Sequence, residues 1–225
     1  MLTIGEKIKD IEERIEKAKS RAGRSAPVKL VAVTKTVPAA AVEESLKYGI
    51  TDIGENRIQE AEQKLPLLSK YKIKKHLIGH LQTNKAKKAV SLFDVIQSVD
   101  SLRLLEEIDR QASAAKKIQE CFVEVKVSFE DSKFGLAPEM LAGLLEKSKF
   151  LGSVKVTGLM AMAPFFDEQE KARPYFRKAF EYYSQFASVY ALKYLSMGMT
   201  GDFEAAVEEG SNMVRIGTGI FGEKK

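Results

Sequence analysis

Short apolar segments alternate with longer amphipathic segments eight times along this chain of 225 residues. The apolar segments have the length and β-branched content of buried strands, and the segments between them repeat apolar residues at helical spacing. Strands are predicted at 28–34, 51–54, 74–78, 93–97, 121–127, 154–161, 193–197 and 212–216. Helices are predicted at 4–22, 38–48, 56–69, 83–90, 101–117, 138–148, 168–189 and 201–209. Each strand except the last is followed by a helix, and one helix precedes the first strand.

Strands that alternate with helices pair in parallel, because each helix carries the chain back to the same end of the sheet. Eight such units predict an α/β protein with a (β/α)8 TIM barrel and an extra N-terminal helix. An open doubly wound sheet is the alternative, but its dinucleotide-binding form would carry a G-x-G-x-x-G motif after the first strand, which the sequence lacks. No linker or low-complexity segment divides the chain, so residues 1–225 are predicted to form a single domain.

The sequence favours a cytoplasmic location. The lone cysteine, Cys121, cannot form an internal disulfide, which suits a reducing compartment, and its apolar surroundings in the sequence predict a buried thiol. The first 24 residues mix seven basic and five acidic side chains without an apolar core, unlike a signal or transit peptide. No apolar run reaches the roughly 18 residues that span a bilayer, so no membrane contact is expected.

The net charge of +5 is concentrated in residues 64–88, which contain eight lysines. No acidic residue occurs between Gln63 and Phe93. The segment lacks arginine and any known nucleic-acid motif, so we expect these lysines to be solvated on a helix face rather than to bind nucleic acid. An acidic partner for the segment is the open alternative.

A lysine, Lys35, ends the first predicted strand in the stretch VKLVAVTKTVP. The carboxyl ends of barrel strands surround the active site, so we expect its amine to point into the mouth of the barrel. Burial there would favour the neutral amine, which can attack a carbonyl group and form a Schiff base. A lysine that extends to solvent is the structural alternative.

Glycine and hydroxyl residues collect after the seventh and eighth strands. Six of the fifteen glycines lie between 198 and 222. The hydroxyl residues are Ser196, Thr200 and Thr218. Loops at these positions commonly hold phosphate in this fold, and the predicted helix after the seventh strand would add free N–H groups. We therefore predict that Ser196–Thr200 and Gly217–Thr218 bind a phosphate; tight turns are the alternative explanation for the glycines.

A Schiff-base lysine that faces a phosphate site suits two kinds of chemistry. One is a class I aldolase acting on a sugar phosphate, with Glu55 as the nearest acid–base group. The other is a protein that binds pyridoxal 5′-phosphate (PLP), which carries both an aldehyde and a phosphate. His76 and His80 lie four residues apart across a strand and a turn without a neighbouring carboxylate, so no metal site is predicted.

Seven motifs occur in order along the chain: VAVTK, DIGENRIQE, HLIGHLQTNK, SKFG, GLMAM, LSMGM and MVRIGTGIFG. Together they resemble the YggS/PROSC family, the pyridoxal phosphate homeostasis proteins, over residues 28–222. Many relatives have a serine where this chain has Thr83, a difference that keeps the hydroxyl. The family is similar to the barrel domain of bacterial alanine racemase without that enzyme's C-terminal β-domain. The resemblance therefore implies an alanine racemase-like barrel with PLP as its cofactor.

The resemblance also implies site residues. Lys35 matches the lysine that forms the internal aldimine with PLP, and Arg215 matches the arginine near the pyridine nitrogen. Asn56 and Met162 match residues that line the cofactor, and Lys133 matches a basic position near its O3′ oxygen. The phosphate cradle is matched by Ser196, Thr200, Gly217 and Thr218, with Gly198 inside the same LSMGM motif.

An arginine at the pyridine nitrogen implies a weak electron sink, because a guanidinium only donates hydrogen bonds. A racemase would need a second acid–base group opposite Lys35, and none of the seven tyrosines lies at the end of a predicted strand. We therefore expect a protein that holds PLP on Lys35 and takes part in intracellular PLP homeostasis without robust turnover. A PLP-dependent amino-acid racemase and a class I aldolase are the alternatives. The implied partners are apo-enzymes that receive PLP, and a monomer is expected.

Overall fold

The computed structural model describes residues 2–128 and 134–222 of the chain. Eight parallel strands close into a barrel in sequence order, and the last strand pairs with the first. The strands are β1 (Lys29–Val33), β2 (Asp52–Glu55), β3 (Lys74–Leu77), β4 (Val95–Val99), β5 (Gln119–Glu124), β6 (Val154–Met160), β7 (Tyr194–Ser196) and β8 (Met213–Ile216). The predicted barrel is confirmed, and the pairing of β8 with β1 excludes the open sheet.

Helices surround the barrel. They are α1 (Ile4–Arg21), α2 (Ala39–Leu46), α3 (Ile58–Lys64), α4 (Ala86–Leu92), α5 (Leu102–Ala114), α6 (Leu141–Ser148), α7 (Arg173–Tyr190), α8 (Phe203–Glu208) and α9 (Thr218–Phe221). The prediction that no helix follows the last strand is wrong, because α9 follows β8. Four residues are too few to show a helical period in the sequence.

Helix α1 is the predicted N-terminal helix. It begins with a capping box in which Thr3 and Glu6 bond to each other's backbone N–H groups, which satisfies two donors at the helix start. Its buried residues are Ile8, Ile11, Ile15, Ala18 and Lys19. The polar side of α1 reaches α8, where Arg14 Nε lies 2.7 Å from Glu204 Oε1. Helix α1, near the start of the chain, therefore packs against α8, near its end.

The interior of the barrel is partly apolar and partly polar. A small apolar cluster contains Val31, Val95, Phe122, Met160 and Met213. The amino ends of the strands carry two ion pairs, Lys29 with Asp52 at 3.4 Å and Lys74 with Glu120 at 2.6 Å. Buried charged groups are costly unless paired, so these pairs make a polar end possible in a closed barrel.

The lysine-rich segment 64–88 is spread over the end of α3, over β3 and over α4. The prediction of solvated lysines on one helix face is therefore wrong for most of them. Lysines with carboxylate partners are Lys64, Lys70, Lys74, Lys75 and Lys88. The acidic partners come from other parts of the sequence, so the charge of this segment is largely compensated within the fold.

Cys121 is buried in β5, as predicted, and burial raises the pKa of its thiol. Strand β5 ends at Glu124, three residues before the predicted end at 127. In the part of the chain that the structure describes, none of the helices combines the length and the apolar character needed to cross a membrane.

Candidate functional site

A cavity of about 480 Å³ lies at the carboxyl ends of the strands. Its wall contains residues that follow β1, β2, β3, β6, β7 and β8, together with the end of β5. Another cleft of about 490 Å³ lies between the segments after β2 and β3 and is lined by residues such as Arg57 and Lys85. The cavity of about 480 Å³ collects groups from seven of the eight strand ends among the described residues, and the carboxyl ends of the strands are the usual place for chemistry in this fold.

Seven of the predicted site residues line this cavity in the described structure: Lys35, Asn56, Met162, Thr200, Arg215, Gly217 and Thr218. Ser196 and Gly198 are not among the described residues of its wall, and both are buried. Lys133 lies outside the described residues. Its neighbour Phe134 is part of the wall and stacks on His80, with the ring centroids 3.7 Å apart.

Lys35 lies in the turn that follows β1, and its side chain is exposed. The expectation that the barrel mouth buries this amine is therefore wrong for the protein alone. The turn is closed by a 3.0 Å hydrogen bond from Val37 N–H to Thr34 C=O. Thr36 has a φ of 61°, a conformation that costs a β-branched residue roughly 1–3 kcal/mol. Its N–H donates to Glu60 Oε2 at 3.0 Å, which helps to hold the strained turn.

A buried ion pair supports this turn from below. Lys64 Nζ donates to Glu55 Oε1 at 2.7 Å and to the carbonyl oxygen of Thr34 at 2.5 Å. The hydroxyl of Thr34 also donates to Glu55 Oε1 at 2.6 Å. These bonds fix the peptide unit that leads into Lys35. Glu55, the acid–base group of the aldolase hypothesis, is thus bonded to Lys64 and Thr34 beneath the turn. It does not line the described wall of the cavity.

Arg215 lies at the base of the cavity on β8 and is only 3% exposed. Its guanidinium donates from Nη1 to Ser196 Oγ at 2.7 Å and from Nη2 to the carbonyl oxygen of Ala161 at 3.0 Å. Burial lowers the pKa of Arg215 to about 10, although the carboxylates of Glu124 and Asp202 act in the opposite direction. The side chain is therefore still a cation at neutral pH.

The hydroxyl of Ser196 is used within the protein. It accepts from Arg215 and donates to Gln97 Oε1 at 2.7 Å. A hydroxyl with these two bonds has one lone pair left. The contacts of Ser196 thus support Arg215, and its assignment to a phosphate cradle stays a prediction.

The loops after β7 and β8 meet at the side of the cavity. The N–H of Gly219 donates to Thr200 Oγ1 at 3.2 Å, which ties the two loops together. Gly198 has a φ of 94°, and a Cβ there would lie 2.6 Å from the Cβ of Ala206 in α8. This glycine is therefore required for a tight turn and for close packing.

Helix α8 begins at Phe203, two residues later than predicted, with Asp202 before it. Asp202 lines the cavity, and its Oδ1 accepts from the N–H of Met199 at 2.6 Å. Burial raises the pKa of Asp202, against the effect of that hydrogen bond and of Arg215. The carboxylate is thus bonded to its own loop beside Thr200.

Asn56, which follows β2, packs closely against Gly79 in the segment that follows β3. A Cβ on Gly79 would lie 2.3 Å from the backbone oxygen of Asn56, so only glycine permits this approach. Met162 follows β6 and adds an apolar surface to the same cavity.

Glu124 is a wall residue that sequence reasoning missed. It is the last residue of β5 and is 4% exposed. Burial raises its pKa to about 7, with Arg215 opposing this shift and Asp100 adding to it. The sequence signal was present, because Glu120, Phe122 and Glu124 alternate along the strand and share one face. The predicted strand end at 127 left Glu124 inside the strand instead of at its end.

The donor groups of the cavity fit PLP. A primary amine lies on one side, hydroxyl and glycine backbone groups of two loops lie on another, and a buried guanidinium lies at the base. The aldehyde of PLP can react with the amine, and its phosphate suits the hydroxyl and backbone groups of the two loops. Its pyridine nitrogen can accept a hydrogen bond from the guanidinium.

Comparisons with known proteins identify relatives of this chain. The family model for the alanine racemase N-terminal domain matches residues 7–225. A pyridoxal phosphate homeostasis protein from Aquifex aeolicus is 42% identical over 98% of this chain and 98% of its own length. The structure of PipY from Synechococcus elongatus with PLP bound is 36% identical, with a TM-score of 0.81 over 93% of this chain and all of that chain. An alanine racemase from Clostridium difficile, 15% identical, shares the fold with a TM-score of 0.72, and the match covers 57% of it.

Proposed function

Because this chain belongs to the alanine racemase N-terminal domain family, and within it to the pyridoxal phosphate homeostasis proteins, we propose that it binds PLP in the cavity at the barrel mouth. The observation that carries the proposal is the convergence of Lys35, Arg215 and the two glycine–threonine loops on one cavity. When bound, PLP supplies an aldehyde that condenses with a lysine amine with loss of water. In this proposal residues 1–225 act as one PLP-binding barrel.

Each wall residue has a part in the proposal. Lys35 provides the amine, and the strained turn with the Glu55–Lys64 pair beneath it limits where that amine can reach. Thr200, Gly217 and Thr218 receive the phosphate, with Ser196 and Gly198 shaping the same side from below. Arg215 donates to the pyridine nitrogen, and Asn56 and Met162 line the ring. Lys133 is proposed to lie near the O3′ oxygen.

We further propose that the protein stores PLP and releases it to PLP-dependent apo-enzymes, as a cytoplasmic monomer without robust turnover. The exposure of Lys35 and Thr218 supports release, because a recipient or water can approach both ends of the cofactor. Arg215 supports the absence of turnover, because a buried cation that only donates gives the pyridine ring little capacity to accept electrons.

The proposal is tested by adding PLP to the purified protein, reducing with borohydride and mapping the modified peptide by mass spectrometry. We expect a single adduct on Lys35, and its loss in Lys35→Ala. Lys87→Ala is the matched control, because Lys87 is an exposed lysine of the lysine-rich segment. Adducts scattered over residues 64–88 with Lys35 unmodified would refute PLP binding at the barrel mouth.

Glu124 supports a second candidate, a PLP-dependent racemase. A carboxyl with a pKa of about 7 in the cavity wall is a possible second acid–base group beside Lys35. This candidate predicts that solvent deuterium enters the Cα position of an amino acid faster than with free PLP, and that Glu124→Gln abolishes the exchange. Exchange no faster than with free PLP across the common amino acids would eliminate it.

A further inference from the structure

Five buried polar side chains form a continuous line of hydrogen bonds through the interior of the barrel. Arg215 Nη1 lies 2.7 Å from Ser196 Oγ, which lies 2.7 Å from Gln97 Oε1. Gln97 Nε2 lies 2.9 Å from His76 Nδ1, and His76 Nε2 lies 3.0 Å from Asp52 Oδ1. The line starts in the wall of the cavity and ends at the first residue of β2, at the opposite end of the barrel.

With Gln97 Oε1 facing Ser196 and Gln97 Nε2 facing His76, the chemistry of the groups sets the direction of every bond. A guanidinium only donates, so Ser196 Oγ accepts from Arg215 and gives its own proton to the oxygen of Gln97. The amide nitrogen of Gln97 only donates, so His76 Nδ1 must accept. The proton of a neutral His76 ring is then on Nε2, which donates to the carboxylate of Asp52. In all four hydrogen bonds, the donor lies on the side of Arg215 and the acceptor on the side of Asp52.

Burial makes this direction hard to change. Arg215 is 3% exposed, Asp52 is 3% exposed, His76 is 1% exposed, and Ser196 and Gln97 have no exposed surface. A buried donor or acceptor that loses its partner cannot turn to solvent, and members of a buried network depend on one another. A change in the hydrogen bonding of one member therefore requires the other members to rearrange their hydrogen bonds.

The proton on His76 is the point at which the line can reverse. A second proton on Nδ1 would remove the acceptor for Gln97, and the amide would have to rotate so that its oxygen faces the ring. Its nitrogen would then donate to Ser196, whose own proton would turn away from Gln97. The charged groups around His76 are Asp52 from β2, Lys74 on its own strand, Glu120 from β5 and, through Asp52, Lys29 from β1.

We propose that Gln97, His76 and Asp52 are positioning residues of the cofactor site, which hold Arg215 in one orientation and transmit the protonation state of His76 to it. The proposal rests on the proposed function, because the orientation of Arg215 matters to a ligand that accepts from it. It goes beyond that function by assigning a role to groups that do not touch the cavity.

The first test needs no cofactor. The chain contains two histidines, so ¹⁵N NMR of the imidazole rings is simple to assign with a His80→Gln variant. We expect the neutral His76 ring to carry its proton on Nε2, and Ser196→Ala to shift the resonances of both ring nitrogens. Ser98→Ala is the matched control, because Ser98 lies beside Gln97 on β4, and its buried hydroxyl has no partner among the described residues. Unchanged His76 resonances in a folded Ser196→Ala protein would overturn the proposal.

The second test uses PLP. Gln97→Met keeps the side-chain volume and removes the hydrogen bonds to Ser196 and His76, and we expect the Kd for PLP to rise about tenfold with a shifted pH profile of the bound absorbance. Gln97→Glu can accept from Ser196 and from a protonated His76, so it should recover most of the affinity. A folded Gln97→Met protein with wild-type Kd and wild-type pH profile would contradict the proposal.

The two proposals fail in different ways. If the wild-type protein forms no PLP adduct on Lys35, the proposed function is wrong, and the NMR test still decides whether the line couples His76 to Ser196. If the wild type binds PLP on Lys35 and the Gln97 and Ser196 variants fold without effect, only the positioning role is wrong. Circular dichroism on each variant establishes folding, and if Gln97→Met does not fold, the NMR test on Ser196→Ala carries the decision.

Discussion

The guanidinium of Arg215 donates a 2.7 Å hydrogen bond to the hydroxyl of Ser196, and this bond joins the neighbouring strands β8 and β7 directly beneath the cavity. Arg215 lines the cavity, whereas Ser196 supports it. A cation at the base of a ligand site is therefore held from below by a residue whose motif alone would suggest direct ligand contact.

We predict that Ser196→Ala lowers the free energy of unfolding by about 1–3 kcal/mol, because it leaves Arg215 without one acceptor and Gln97 without one donor in a buried site. Urea denaturation followed by circular dichroism measures the change. Ser98→Ala should be neutral or slightly stabilising, since the hydroxyl it removes has no partner among the described residues. Equal destabilisation by both variants would mean that burial volume alone, and not the bond to Arg215, sets the cost.

The buried pair under the Lys35 turn gives a second prediction. Lys64→Met should lower the free energy of unfolding by about 3–5 kcal/mol, because Glu55 would keep a buried charge without its cation. Adding Glu55→Gln should recover part of this loss, which a double-mutant cycle in urea would quantify. If the double variant is no more stable than Lys64→Met, the lysine acts through packing of its aliphatic chain instead.

The raised pKa of Glu124 predicts that the free energy of unfolding falls as the pH rises. Its pKa is raised from 4.5 to about 7 in the folded protein, so the folded state binds more protons than the unfolded state between these values. Its contribution is fully present below about pH 4.5 and is lost as the pH passes about 7. Glu124→Gln should therefore be more stable than wild type at pH 8, by about 1–3 kcal/mol, and should lose that advantage at pH 4. Urea titrations at both pH values test the sign, and an advantage of the same size at pH 4 would contradict it.

Two glycines of the loop after β7 provide a matched pair. Gly198→Ala should cost more than about 2 kcal/mol, because it combines a positive φ with a Cβ 2.6 Å from Ala206. Gly201→Ala should change stability by less than about 0.5 kcal/mol, because a Cβ there meets nothing within 4 Å. Thermal unfolding compares the two variants, and a large loss in both would show that the loop is less open at Gly201 than the geometry indicates.

Much of the architecture could be predicted from the sequence, because helices and strands leave local periods. All eight strands and the N-terminal helix follow from apolar spacing within windows of a few residues. Lys35 and the loops with Thr200 and Thr218 could be placed at the cavity because, in a parallel barrel, the position of a residue after its strand already fixes the end of the barrel on which it lies.

Other features depended on contacts between strands. The residues of the buried line, from Arg215 on β8 to Asp52 on β2, are far apart in the sequence, and no local pattern pairs them. The exposure of Lys35 depended on where β1 stops relative to its turn, and the site position of Glu124 depended on where β5 ends.

The sequence by itself therefore determined the barrel and the position of the Lys35 amine at the carboxyl ends of the strands, because both follow from periodicity and from order along the chain. Only the tertiary structure decided which polar groups are free to meet a ligand. Hydrogen-bond partners such as Ser196 and Gln97, or Lys64 and Glu55, are chosen by register and distance across strands, and those choices exist only once the barrel has closed.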